Sequence, residues 1–197
     1  MVNYLVERII EFQKKYEIIN DEEKDIYQVG YELLISKSLS ILMMIIIGII
    51  QNNLVIVLGF TCIFASLRQY SGGYHFNTAE KCILFSVLLC VLGLPLMEFL
   101  MKKCNGNLLL LIEFCSIAII WKCSPIPSKN KGLSANEIIK YGKYTKILLI
   151  VEGGIYLLTI DSKYFFIWCS MEMAHIVIAI SQLLEYTKQK SMCKYYR

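Results

Sequence analysis

One connection in this 197-residue chain gathers nucleophilic, basic and cationic side chains within fifteen positions: Arg68-Gln-Tyr-Ser71-Gly72-Gly73-Tyr-His75-Phe-Asn77-Thr-Ala-Glu80-Lys-Cys82. A thiolate is a strong nucleophile, and an imidazole within reach can take the thiol proton. His75 and Cys82 are therefore candidates for acyl-transfer chemistry. On one straight helix they would share a face but stand about 10 Å apart along the axis, too far for a hydrogen bond of about 3 Å. A break between them is required. Asn77 with Glu80 has the spacing of a helix cap and its third residue, which predicts a helix from about Thr78 with Cys82 in its second turn. A turn through Phe76-Asn77 would then fold the imidazole back over that helix. Acyl transfer also needs an oxyanion donor, whose loss typically costs about 10²–10³ in rate. The candidates for this and for substrate positioning are Arg68, Ser71, Gly72 and Gly73. The glycines equally serve to turn the backbone, and Arg68 equally serves to anchor a span end to lipid phosphate. Asn77 or Glu80 could orient the histidine, although Asn77 is better read as the cap.

The rest of the chain sets where this connection sits. Hydrophobic residues make up 56% and charged residues 18%, with mean hydropathy +0.54, whereas soluble domains run nearer 45–50% apolar and about 25% charged. Residues 1–37 carry 13 of the charged side chains. This excludes a soluble globular domain, a disordered protein and a free-standing nucleic-acid reader. Eight cysteines are scattered without metal spacing, most of them in apolar runs where cysteine behaves as a small hydrophobe. They are read as reduced thiols, and neither a cofactor nor a metal is expected. The N-terminus has no continuous apolar stretch of the signal-peptide type.

Leu5, Ile9, Phe12, Tyr16 and Ile19 recur at helical spacing, which predicts an amphipathic helix of about four turns over 1–20. It could lie in the membrane interface or pack on the remaining protein. Asn20 with Glu23 predicts a new helix from Asp21 that runs into the first span. Apolar runs follow at 39–50, 54–67, 82–101, 108–121, 147–160 and 164–184. The expected fold is all-α, a polytopic membrane protein with about six transmembrane helices in one unit over 1–197: the amphipathic helix, a bundle over 21–186 and a tail over 187–197. Several runs are shorter than the roughly 30 Å slab and must borrow flanking residues, tilt or thin the bilayer. With the N-terminus cytoplasmic, inside segments hold 17 basic residues and outside turns hold Lys102, Lys103 and Lys163. That asymmetry places both termini and the 68–81 connection on the cytoplasmic side.

At this point the motif resembles a known family. Arg68-x-x-Ser71-Gly72-Gly73-x-His75, with Cys82 seven residues on, is similar to the accessory gene regulator B family of bacterial membrane endopeptidases. The likeness extends to the amphipathic start, the hydrophobic segments and the length, to Tyr31-Glu32 before the first span, and to the Pro125-Ile-Pro127-Ser-Lys-Asn-Lys131 loop. The resemblance implies that His75 and Cys82 are the catalytic pair and that the protein works in quorum sensing at the bacterial cell membrane. Cys82 would cleave the acidic C-terminal tail from a short propeptide with an amphipathic leader, leaving an acyl thioester. A peptide cysteine or serine would then close a thiolactone or lactone ring.

Other polar groups leave an alternative open. Glu98, Glu113, Glu152, Glu172 and His175 fall in or near apolar runs, where ionisable groups usually face a protein interior or a water-filled cavity. Glu172 and His175 are three apart and could pair; a hydrogen bond between helices is the better reading than a metal site. A small transporter or exporter using these groups is the alternative function, and a non-catalytic assembly subunit is a third. Gly153-Gly154 reads as close helix packing. The expected partners are the propeptide and the lipid bilayer, with no nucleic acid; a homodimer suits a bundle with such short spans, and the oligomeric state stays open.

Overall fold

The computed structural model describes residues 2–21, 23–74, 76, 78–127, 133–159 and 164–195. The chain is 86% helical, with no strand among the described residues. Among the described residues eight helices follow in order: α1 (Val2–Lys15), α2 (Lys24–Ile50), α3 (Leu54–Ser71), α4 (Ala79–Leu88), α5 (Leu94–Lys103), α6 (Gly106–Cys123), α7 (Ala135–Leu158) and α8 (Phe165–Tyr195). A π-helical turn, Leu89–Gly93, joins α4 to α5, so that Glu80–Lys103 is one apolar stretch.

Five stretches are long and apolar enough to cross a membrane: Lys24–Ile50, Leu54–Ser71, Glu80–Lys103, Gly106–Cys123 and Phe165–Gln189. The sixth apolar run lies on the second half of α7, whose first half carries Glu137, Lys140, Lys143 and Lys146. The polytopic all-α architecture and the leading helix thus match the expectation. Extra length comes from flanking residues: the 27 residues of α2 extend about 40 Å, well beyond the hydrocarbon slab.

In the bilayer, lipid tails are as apolar as leucine, so helices associate through close packing and polar contacts. α8 is the hub. In its apolar window 56% of residues are buried inside the protein, against 17–28% for the other four, and it packs on α3, α5, α6 and α7. At the α3–α8 crossing Gly59 has no side chain to spare: a Cβ there would stand 2.7 Å from the Ser170 hydroxyl. That hydroxyl donates to the Phe166 carbonyl at 2.7 Å and lies 2.9 Å from the Ile56 carbonyl across the crossing. The glycine pair singled out in the sequence does not do this. Gly153 only approaches Ile117, at 3.8 Å, and Gly154 faces open space.

α1 is amphipathic and of the expected length, but it buries a different face. Val2, Val6 and Ile10, joined by Ile19, pack on Tyr31, Ile35 and Ile83, while Leu5, Phe12 and Tyr16 are exposed. The helix is apolar on two adjacent faces. One docks on α2 and α4, and the face read from the spacing is left outward. α2 starts at Lys24 rather than Asp21, since Asn20 makes no side-chain cap; instead its N–H donates to the Glu23 carboxylate at 3.3 Å. Lys14 and Asp21 form an ion pair across the α1–α2 turn.

Candidate functional site

Cys82 is the fourth residue of α4. The helix begins one residue later than expected, because Thr78 is the cap: its hydroxyl accepts from the Lys81 N–H at 3.4 Å. Thr78 has the extended backbone a cap requires, and the Cys82 N–H makes the first helical bond back to the Thr78 carbonyl at 3.3 Å. Cys82 is exposed. Its neighbour Ile83 packs against the buried face of α1. The cationic groups near enough to act on charge at the sulfur are Arg68 and Lys37.

His75 and Asn77 lie outside the described residues, as does the 128–132 part of the Pro125 loop. The segments that bracket the histidine are fixed. Phe76 packs on Phe85 of α4 at 5.1 Å and meets Tyr74 edge-on at 5.2 Å. Tyr74 in turn lies under the Lys188 ammonium of α8 at 4.7 Å.

The four positioning candidates converge, with distinct parts. Arg68, in the last turn of α3, donates to the carbonyls of Gly72 and Tyr74 and, at 2.8 Å, to the Ser181 hydroxyl. Its guanidinium therefore works as a clamp on the turn. Ser71 is fully buried; its carbonyl accepts from the Ile126 N–H at 3.0 Å and from Gln182 Nε2 at 3.1 Å. Gly72 has φ 69° and ψ −160°, a region essentially restricted to glycine. A Cβ on Gly72 would run into the Ile126 carbonyl, and one on Gly73 (φ 128°) into the Arg68 guanidinium. The Gly72 N–H donates to the Arg68 carbonyl at 3.3 Å and the Tyr74 N–H to the Ser181 carbonyl at 3.0 Å. Among the described residues the Gly73 N–H has no acceptor.

The C-terminal half of α8 is the part of the site that sequence reasoning missed. Ser181 and Gln182 hold the Arg68–Tyr74 turn. Gln182 also donates to the Ser124 hydroxyl at 2.8 Å, and Gln189 to the Pro127 carbonyl at 2.8 Å and to Glu185 at 3.1 Å. One helix thus ties the 72–74 turn to the 124–127 turn, and Glu185 adds a negative charge within reach of Arg68. The signal was present: Ser181, Gln182, Glu185 and Gln189 repeat at helical spacing at the end of an apolar run.

The intramembrane acids also find partners, although not the expected ones. His175 does not pair with Glu172. Its Nδ1 lies 2.5 Å from Glu113 Oε1 and its Nε2 3.1 Å from Glu152 Oε2, whereas Glu172 accepts from the Tyr156 hydroxyl at 2.7 Å. Hydrogen bonds between helices are what these groups make. Glu98 pairs within its own helix with Lys102 at 3.8 Å.

A helical bundle with five stretches apolar enough to cross a membrane, presenting an exposed thiol at the head of one of them, defines a class of polytopic membrane protein. The sequence itself narrows the class: residues 3–186 match the accessory gene regulator B family, to which this chain belongs. Among its relatives, AgrB-like protein 2 of Clostridium perfringens strain 13 is 27% identical over 146 residues, and an AgrB-like protein of C. perfringens strain SM101 is 28% identical over 146 residues. Each alignment covers 72% of this chain and 64% of the relative, so the match spans just under two thirds of those curated proteins. No solved structure matches the chain.

Proposed function

We propose that this chain is a membrane-embedded cysteine endopeptidase that trims the precursor of a cyclic quorum-sensing peptide, with Cys82 as nucleophile and His75 as its base. The observation that carries the reading is the accessible Cys82 at the head of α4, with Arg68 of the clamped Arg68–Tyr74 turn close enough to act on it. Cys82 attacks a backbone carbonyl of the precursor once His75 has taken the thiol proton, and His75 returns that proton to the departing amine of the acidic tail. The retained peptide is then an acyl thioester on Cys82. A peptide thiol replaces one thioester by another at little net cost, and a peptide hydroxyl would give the lactone instead.

The oxyanion candidates are the backbone N–H groups of the Gly72-Gly73 turn and the Arg68 guanidinium that shapes it. Ring closure must outrun hydrolysis, and a site at the lipid boundary beside α1 limits the water that competes. The basic-residue asymmetry supports a cytoplasmic site and cytoplasmic termini, a topology in which α7 is the sixth crossing.

Co-expression of the cognate precursor with Cys82→Ala or His75→Ala tests the assignment. Cleavage should vanish in both while membrane abundance stays at the wild-type level. Persistent cleavage in either variant overturns the dyad.

A further inference from the structure

A second polar centre lies far from Cys82, half way along α6. Glu113 of α6, Glu152 and Tyr156 of α7, and Glu172 and His175 of α8 meet in the bundle interior; Glu113 is 2% and Glu172 and His175 0% exposed. The two bonds of His175 to carboxylate oxygens each need a proton between nitrogen and oxygen, so the imidazole and its two partners hold two protons between them. With every carboxyl ionised and His175 an imidazolium, the five groups would carry two net negative charges inside a bilayer. Among the described residues His175 is the positive partner within reach of these acids.

The hydrogen-bond inventory shows where compensation is missing. Glu113 Oε2 and Glu172 Oε1 are both buried without a partner, and the two carboxyls feel each other's charge. Ser66 of α3 lies 3.4 Å from Glu152, but its hydroxyl hydrogen goes to the Ile63 carbonyl at 2.9 Å. Glu113 shares its other oxygen with His175, whereas Glu172 has only the hydrogen given by Tyr156. The remaining titratable groups within reach are Cys169, beside Glu172 on α8, and Glu98 of α5, which acts on Cys169.

We propose that this cluster is a proton-binding site of the membrane interior, with Glu172 held as a carboxylic acid at neutral pH. A proton on Glu172 removes one of the two uncompensated charges from the carboxyl whose Oε1 has no partner among the described residues. A metal ion is disfavoured, because both ring nitrogens of His175 already face carboxylates on opposite sides. The proposal is independent of the Cys82 chemistry, but the two centres share a rigid element: His175 and Ser181 are about 9 Å apart along α8.

Infrared spectroscopy of the full chain reconstituted in phosphatidylcholine vesicles tests this. At neutral pH the wild type should show the carbonyl stretch of a buried carboxylic acid, shifted in D₂O and lost as pH is raised. Glu172→Gln should lack that band and Glu98→Gln should keep it. Tyr156→Phe, which leaves the acid in place but removes its hydroxyl contact, should move the band without abolishing it. This second variant reads out the same group should Glu172→Gln fail to fold. A wild type without the band, a band retained in Glu172→Gln, or one unmoved in Tyr156→Phe overturns the proposal.

Discussion

Replacing Gly72 by alanine probes the turn on which the proposed site depends. The perturbation has two parts. The backbone at Gly72, with φ 69° and ψ −160°, costs a side-chain-bearing residue about 1–3 kcal/mol. The added Cβ also meets the Ile126 carbonyl, which is backbone and cannot rotate away, and lies 3.1 Å from the Ile126 nitrogen. Relief requires the 72–74 and 124–127 turns to separate, with loss of the Ile126 N–H bond to Ser71 at 3.0 Å, worth about 1 kcal/mol. The total is about 3 kcal/mol. If it falls on the geometry that presents the site, precursor cleavage drops by about 10²-fold. The assay is the rate of tail release by protein reconstituted in lipid, normalised to folded protein. Gly154→Ala, where a Cβ meets nothing within 4 Å, is the control and should match wild type. A Gly72→Ala protein within about twofold of wild type in rate and with an unchanged melting temperature would refute the reasoning, because neither the backbone demand nor the contact with Ile126 would then be real.

Arg68→Lys keeps the charge but not the planar fork that reaches Gly72, Tyr74 and Ser181 together; cleavage should fall about tenfold or more with abundance unchanged. Gly59→Val forces a branched side chain against Ser170 and should destabilise the α3–α8 crossing by about 1–3 kcal/mol, read as a lower melting temperature in detergent. The Lys14 ammonium holds the Asp21 carboxyl below the ordinary aspartate range, through its hydrogen bond first and its charge second. That contribution is complete above the unfolded-state value and disappears as pH falls through the lowered one. NMR titration should find Asp21 titrating at higher pH in Lys14→Ala than in wild type.

The 68–82 connection stands out in the sequence because its chemistry-bearing residue types are local. Arginine, glycine pair, histidine and cysteine fall within one loop, and a cap was needed between the last two. The cap sits one position later than expected, at Thr78, whose extended backbone and hydroxyl bond to the Lys81 N–H start α4. Which face of α1 meets α2 was not legible, because two neighbouring faces are apolar and periodicity along one helix does not choose between them. The same limit explains His175. Spacing within α8 offered Glu172, whereas its actual partners lie 62 and 23 residues away, and their register is set by how α6, α7 and α8 dock. Arg68 as a clamp was equally hidden, because its acceptors include a serine 113 residues on.

The π-helical turn between α4 and α5 lets a single crossing keep two sets of company. Above it α4 lies against α2, and below it α5 reaches α8. An uninterrupted α-helix would carry one face straight through and could not satisfy both. Excising one residue from Leu89–Gly93 would rewind the rod by roughly 100°, and the sulfur at its head would swing away from the arginine while every individual helix stayed whole. The spelling of an apparently inert stretch of leucines, cysteine, valine and glycine in mid-membrane thus sets the compass bearing of the Cys82 sulfur two turns above it.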